Sequence, residues 1–204
     1  MSPDTFIKRI EEYLDQNEID LESVNSDNIE YDNYRFLEIG GGSFSFWYGS
    51  TRGCFVPYDE SDYVLKFDFD GLEELYCDRE VEIYRKACEK GLGACFTEIE
   101  PYDYICNVQV YKEEYVPETS AREYTIDKED LEVIKRRTSK HPGAPGIPPT
   151  WVKDFIDYFG MAMYEDFLDF IISYGINDLH FCNLGYIDDR PVVFDYAGFY
   201  EPSC

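Results

Sequence analysis

A helical stretch set between short β-type runs is the feature that most restricts how this 204-residue chain can fold. From Tyr34 the sequence breaks into segments rich in aromatic and β-branched residues: Tyr34–Ile39, Phe44–Tyr48, Tyr63–Phe69 and Tyr104–Tyr111, punctuated by Gly40-Gly41-Gly42 and Gly49. Such texture reads as antiparallel sheet. Between the third and fourth runs lies Leu72–Lys90, where Leu75, Val81 or Arg79, Ile83 and Ala87 recur at helical spacing until Gly91 stops the pattern. One helix is therefore inserted in a sheet.

The second half is mainly helical. Residues 127–138 read as a helix, Lys140–Thr150 as a loop with four prolines, and Thr150 as the cap of one long helix ended by Gly175. Val152, Phe155, Ile156, Phe159, Met163, Phe167, Phe170 and Ile171 form its apolar stripe. Leu184–Ile187 and Val192–Phe194 then flank Asp188-Asp189 as a hairpin. At the other end, Phe6, Ile10, Tyr13 and Leu14 give residues 3–16 an amphipathic helix. Glu11 to Asp32, with nine acids and no Lys or Arg, reads as a solvated lead-in. The expected class is α+β, with boundaries at 1–33, 34–117 and 118–204.

Charge narrows the function classes. With 43 acids against 18 bases the formal charge is −25, and such a surface repels phosphate backbones and anionic membranes, so direct nucleic-acid binding is disfavoured. The 18% aromatic content belongs to a folding chain rather than an acidic tail. Seven cysteines without a C-x-x-C pair fit reduced thiols better than a disulfide framework. No run approaches a membrane span, and the start lacks the basic and apolar regions of a signal peptide, so the expectation is a cytoplasmic protein. Compactness hints at a small-genome origin such as a phage, which would make that the host cytoplasm.

Unusual polar residues concentrate in Asn177-Asp178-Leu179-His180-Phe181-Cys182-Asn183 and in Phe194-Asp195-Tyr196-Ala197-Gly198. Phosphoryl transfer needs such a set: a carboxylate to orient the attacking hydroxyl, and an amide oxygen and a second carboxylate to hold magnesium. Asp178 to Asn183 has the spacing D-x-x-x-x-N, and Asp195 begins a short turn beyond the hairpin. These segments resemble the protein-kinase-like superfamily, and Asp178-Leu179-His180-x-x-Asn183 resembles its aminoglycoside-phosphotransferase-like branch more than the His-Arg-Asp form of eukaryotic protein kinases. The order of the remaining parts extends the resemblance over residues 34–200. Gly40, Gly41, Gly42 and Ser43 resemble the glycine-rich loop, and Tyr63-Val64-Leu65-Lys66-Phe67 resembles the strand carrying the phosphate-binding lysine. Glu80, with Glu82 as alternative, stands where the glutamate partner of Lys66 belongs, and Glu113-Glu114-Tyr115-Val116-Pro117 resembles the hinge, with Glu114 beside the base.

The resemblance implies a protein-kinase-like bilobal fold: an antiparallel N-lobe sheet with one helix, and a truncated, mainly helical C-lobe. It further implies ATP and Mg2+ as cofactors, Asp178 as the catalytic carboxylate, Lys66 and Glu80 at the phosphates, and Asn183 and Asp195 as metal ligands. Asn177 and Ile176 depart from the usual residues before the catalytic aspartate, and only nine residues follow Asp195. The substrate surface must then come from the Thr119–Thr150 insert or a partner protein. The expected activity is transfer to a protein hydroxyl. A pseudokinase binding module and an acidic nucleic-acid mimic are the alternatives. His180 reads as a neutral brace of its loop, and Lys135-Arg136-Arg137 with Lys140 and His141 as a patch that neutralises a helix end.

Overall fold

Runs of aromatic and β-branched residues build a five-stranded antiparallel sheet from Phe44–Tyr48 (β1), Arg52–Pro57 (β2), Tyr63–Asp68 (β3), Ile99–Ile105 (β4) and Val108–Glu114 (β5), ordered β1-β2-β3-β5-β4. The computed structural model describes residues 1–24, 44–59, 61–72, 75–119, 126–138 and 146–198. The run Tyr34–Ile39, the glycine-rich Gly40–Ser43 and the pair Lys140-His141 lie outside the described residues. The chain divides into two compact units, Met1–Val81 with Ile99–Tyr115, and Glu82–Glu98 with Val116–Cys204. The class is α+β, with five α-helices among the described residues.

In the first unit, helix α1 (Pro3–Gln16) is capped by Ser2, whose side chain accepts from the Thr5 amide. It lays Phe6, Ile7, Ile10 and Leu14 into the core. Phe6 meets Phe44 edge-on at 5.5 Å and Tyr63 at 6.1 Å, and stacked Phe46, Phe55 and Phe67 continue the aromatic layer. The acidic lead-in is more than a solvated segment: a short 3-10 turn at Leu21–Ser23 buries Leu21 and Val24 in the same core, leaving Glu18, Asp20 and Glu22 exposed.

Two strand expectations are corrected. Tyr104–Tyr111 is not one run but a hairpin, because Cys106 and Asn107 both adopt positive φ (47° and 71°) and turn β4 into β5. Arg52–Pro57, where no strand is expected from the sequence, is the full strand β2.

The second unit holds most of Tyr76–Glu89 (α2) beyond Val81, Lys128–Thr138 (α3), Pro149–Phe159 (α4), Met161–Ser173 (α5), and the three-stranded sheet Glu118–Thr119 (β6), Leu184–Ile187 (β7) and Arg190–Val193 (β8). Asp188 and Asp189 make the expected β7–β8 turn at φ 49° and 64°. Trp151, Phe155, Tyr164 and Phe167 pack ring on ring, all fully buried. The single helix expected from Thr150 to Gly175 is two: Gly160, at φ 87° and ψ 160°, ends α4 and starts α5. The apolar stripe runs across the break, and so periodicity alone hides it. Pro148 precedes the first turn and Pro149 lies within it, so Thr150 is not the cap.

Among the described residues, no helix is long and apolar enough to cross a membrane. The six described cysteines are free thiols.

The Gly160 backbone lies in a region open in practice to glycine alone, while a Cβ there would meet nothing within 4 Å. Gly160→Ala should therefore cost about 1–3 kcal/mol through backbone strain, read as a lower urea midpoint at unchanged slope.

Candidate functional site

Lys66 lies on β3, the central strand of its sheet, and is buried. Its Nζ is 3.3 Å from Glu80 Oε2 on α2 and 2.5 Å from Glu113 Oε2 on β5. Glu80 is fully buried and also takes Arg52 Nη1 of β2 at 2.8 Å. Among the described residues, two cations and two carboxylates thus pair in one buried network inside the first unit. Strand register explains the gathering: Cys54 faces Lys66, Arg52 faces Asp68, and Val64 faces Glu113, so alternation puts Arg52, Lys66 and Glu113 on one side of the sheet. Glu80 is the helix partner of Lys66, whereas Glu82 is exposed.

Local chemistry fixes α2 over this cluster. The Asp68 carboxylate accepts from the backbone amides of Tyr76 at 3.0 Å and Cys77 at 3.1 Å, a cap supplied from a strand rather than from the preceding residue. Burial holds the Asp68 carboxyl above its usual pKa, opposed by the Cys77 amide and the Arg52 charge. Burial likewise pushes the Cys77 thiol well up, reinforced by Asp68 and Glu80. Tyr111 of β5 donates to Asp78 at 2.7 Å, and its phenol is pushed up by burial and by that bond. The Arg52 guanidinium lies 5.4 Å over the Tyr76 ring.

Glu114 ends β5 opposite Tyr63, and the next amide, Tyr115, donates to the Asp62 carbonyl at 2.8 Å. The glycine-rich residues Gly40, Gly41, Gly42 and Ser43 lie outside the described residues.

In the second unit, residues 178–183 close on themselves. Asn183 Nδ2 donates to the Asp178 carbonyl at 2.8 Å and reaches its Oδ2 at 3.3 Å, while the Asn183 amide donates to the His180 carbonyl. His180 Nδ1 accepts from the Cys182 amide at 3.1 Å, which puts the ring proton on Nε2, 3.4 Å from Asp178 Oδ1. The Asp178 carboxylate is therefore held at both oxygens yet keeps a quarter of its side chain exposed.

Asp195 is brought to this loop by its neighbours. The Phe194 amide donates to the Asn183 carbonyl at 3.0 Å, and buried Tyr196 donates to the Thr97 carbonyl at 2.9 Å and meets the Phe96 ring at 5.1 Å. Gly198, at φ 72°, abuts Asn177 so closely that a Cβ would fall 2.9 Å from its Oδ1. Asp195 itself sits at φ 59°.

Among the described residues, no three His, Cys, Asp or Glu side chains gather as a metal-binding group. Asn183 and Asp195 would offer an amide oxygen and a carboxylate, hard donors of the kind magnesium takes while keeping waters and substrate oxygens in its other positions. With Nδ2 committed to Asp178, Oδ1 is the atom that Asn183 has for a cation.

Arg52 and Glu113 of the network, and Asp68 at the start of α2, have no site role in the sequence expectations. A signal for Glu113 existed in the adjacent pair Glu113-Glu114, but choosing between them requires the β3–β5 register. Comparison with protein-family models, with curated proteins and with solved structures finds no match for this chain.

The network makes a stability contrast. Lys66→Met removes the cation between two buried carboxylates and should cost about 3–5 kcal/mol, whereas Lys112→Met, breaking a 3.6 Å pair with the exposed Glu100, should cost at most about 1 kcal/mol. Parallel urea titrations measure both, and equal losses would deny the network its structural weight.

Proposed function

We propose that the chain is an ATP- and magnesium-dependent phosphotransferase of the protein-kinase-like type, acting on a protein hydroxyl. The observation that carries this reading is the buried pair of Lys66 on the central strand and Glu80 on the helix inserted in the sheet. A lysine held this way is a fixed positive charge that can meet phosphate.

The roles follow from what each group can do. Lys66, steadied by Glu80, offers its ammonium to the nucleotide phosphates. Asn183 Oδ1 and the Asp195 carboxylate would hold magnesium. Bound there, the ion would neutralise charge on the phosphate oxygens. Asp178 accepts a hydrogen bond from the acceptor hydroxyl and takes its proton as the oxygen bonds to the γ-phosphorus and the bond from that phosphorus to the β–γ bridging oxygen breaks, releasing ADP. His180 Nε2 and Asn183 Nδ2 support this by restraining the two Asp178 oxygens. The left-handed backbone at Asp195 also supports the reading, since strained conformations concentrate at functional sites.

A second reading, binding without transfer, is favoured by one observation: Glu113 approaches Lys66 more closely than Glu80 does. Because Lys66 has structural weight, the discriminating variants are Asp178→Asn and Asp195→Asn. Magnesium-ATP at a hundredfold excess over its dissociation constant should stabilise the parent by about 2.7 kcal/mol, seen as a raised melting temperature. Asp195→Asn should abolish most of that shift. Asp178→Asn should keep it but lower phosphate transfer, followed with radiolabelled ATP and candidate protein acceptors, by at least about a hundredfold. Binding without transfer by the parent would leave the second reading standing, and an unchanged melting curve at millimolar nucleotide would remove both.

A further inference from the structure

We infer that Gly198 is a positioning residue of the site: the absence of a side chain there lets the segment carrying Asp195 seat against Asn177, and this contact sets the spacing between the Asp178 loop and the Asp195 carboxylate. It rests on the phosphotransferase reading given above, in which Asp178 meets the acceptor hydroxyl and Asp195 holds magnesium.

Both sides of the contact stand on anchored backbone. Asn177 directly follows the end of α5, where the Gly175 amide donates to the Ile172 carbonyl at 3.3 Å and the Ile176 amide to the Ile171 carbonyl at 2.8 Å. Those two bonds, with Gly175 at φ 64°, make a Schellman closure, and Ile176 is buried. On the other side Tyr196 and Ala197 are fully buried, and the Tyr196 hydroxyl donates to the Thr97 carbonyl at 2.9 Å. Neither segment is free to drift and make room for the other.

The two segments run antiparallel and meet at points that bracket both carboxylates. At one end the Phe194 amide donates to the Asn183 carbonyl at 3.0 Å, which continues the β7–β8 pairing beyond Leu184 and Val193. At the other end Gly198 rests on Asn177. A Cβ on Gly198 would fall 2.9 Å from Asn177 Oδ1, 3.3 Å from the Gly175 carbonyl oxygen and 3.6 Å from the Asn177 amide nitrogen. The first distance is too short for a real Cβ, and the other two atoms are backbone, which cannot swing aside as a side chain can. A methyl group at 198 would wedge this end open while the Phe194–Asn183 end stays closed. That turns Asp195 away from Asn183, the residue with which it would share magnesium.

Gly160 supplies the contrast. Its φ of 87° is likewise positive, yet nothing lies within 4 Å of a Cβ there. A substitution at Gly160 strains the backbone alone, whereas one at Gly198 also collides.

The test is titration calorimetry of the full chain with ATP, in magnesium and again in EDTA. Gly198→Ala should weaken binding in magnesium about tenfold, and change it less in EDTA, because the displaced group is the magnesium ligand. Asn177→Ala, at an exposed side chain, should weaken magnesium-ATP binding about threefold by removing the seat. In the Gly198→Ala background the same change should instead restore affinity, since it removes the atom that the methyl strikes first. Gly160→Ala should lower the urea midpoint and leave the affinity of the parent. If Gly198→Ala does not fold by circular dichroism, Asn177→Ala alone carries the comparison, and an unchanged affinity there overturns the positioning role. Parental affinity in Gly198→Ala, an equal loss with and without magnesium, or no restoration in the double variant overturns it as well, and each leaves the phosphotransferase reading intact. Absence of ATP binding by the parent at millimolar nucleotide overturns that reading and the inference with it.

Discussion

The first unit is organised around charges that water would ordinarily keep. Four ionised side chains, Arg52, Lys66, Glu80 and Glu113, lie against the face of a sheet whose other side is aromatic, in a chain whose net charge is −25. Taking an ion out of water costs several kcal/mol, and mutual attraction offsets this only when partners and geometry are complete. A hydrophobic set of similar volume would fill the space at no such cost, so the persistence of four charges here is what links the fold to a reading in terms of function.

The strand-to-helix connection follows from the same constraint. Glu80 can reach Lys66 only if α2 starts at one height along β3, and the Asp68 carboxylate sets that height by accepting the first free amides of the helix. Glu80 then falls one turn further in, on the side facing Lys66 and Arg52. Tyr111 to Asp78 adds a tie from β5 to the first turn of the helix. Sheet register, helix start and ion pairing are one specification, and a shift of one residue in β3 would turn Lys66 to the aromatic side.

How much of this was legible follows from how local each signal is. Periodicity found α1, the helix between the strands, α3 and the β7–β8 hairpin, because each is written in consecutive residues. It merged α4 with α5 because the apolar stripe continues through Gly160, and only a positive φ, invisible to hydrophobic spacing, separates them. It merged β4 with β5 because Cys106-Asn107 lacks the glycine that usually announces a tight turn. Lys66 and Glu80 were legible from order along the chain, whereas Arg52, Asp68 and Glu113 depend on which strand lies beside which, and that is decided by tertiary pairing.

Backbone conformation adds a last step. Six non-glycine residues have positive φ among those described. Cys106, Asn107, Asp188 and Asp189 owe it to two-residue hairpins, which demand that geometry at both positions. Glu18 follows directly on the C-cap of α1, a place where chains commonly turn left-handed. Asp195 has neither excuse: it lies beyond β8, between an amide bound to Asn183 and a tyrosine anchored to Thr97. Its neighbours on both sides are fixed, so the left-handed turn is what decides where this carboxylate points. Left-handed backbone is tolerated better by aspartate than by most residues, but it still has to be enforced by its surroundings. A segment that enforces it beside the Asp178–Asn183 loop, and not at a turn that needs it for chain reversal, is spending conformational energy on the placement of one carboxylate.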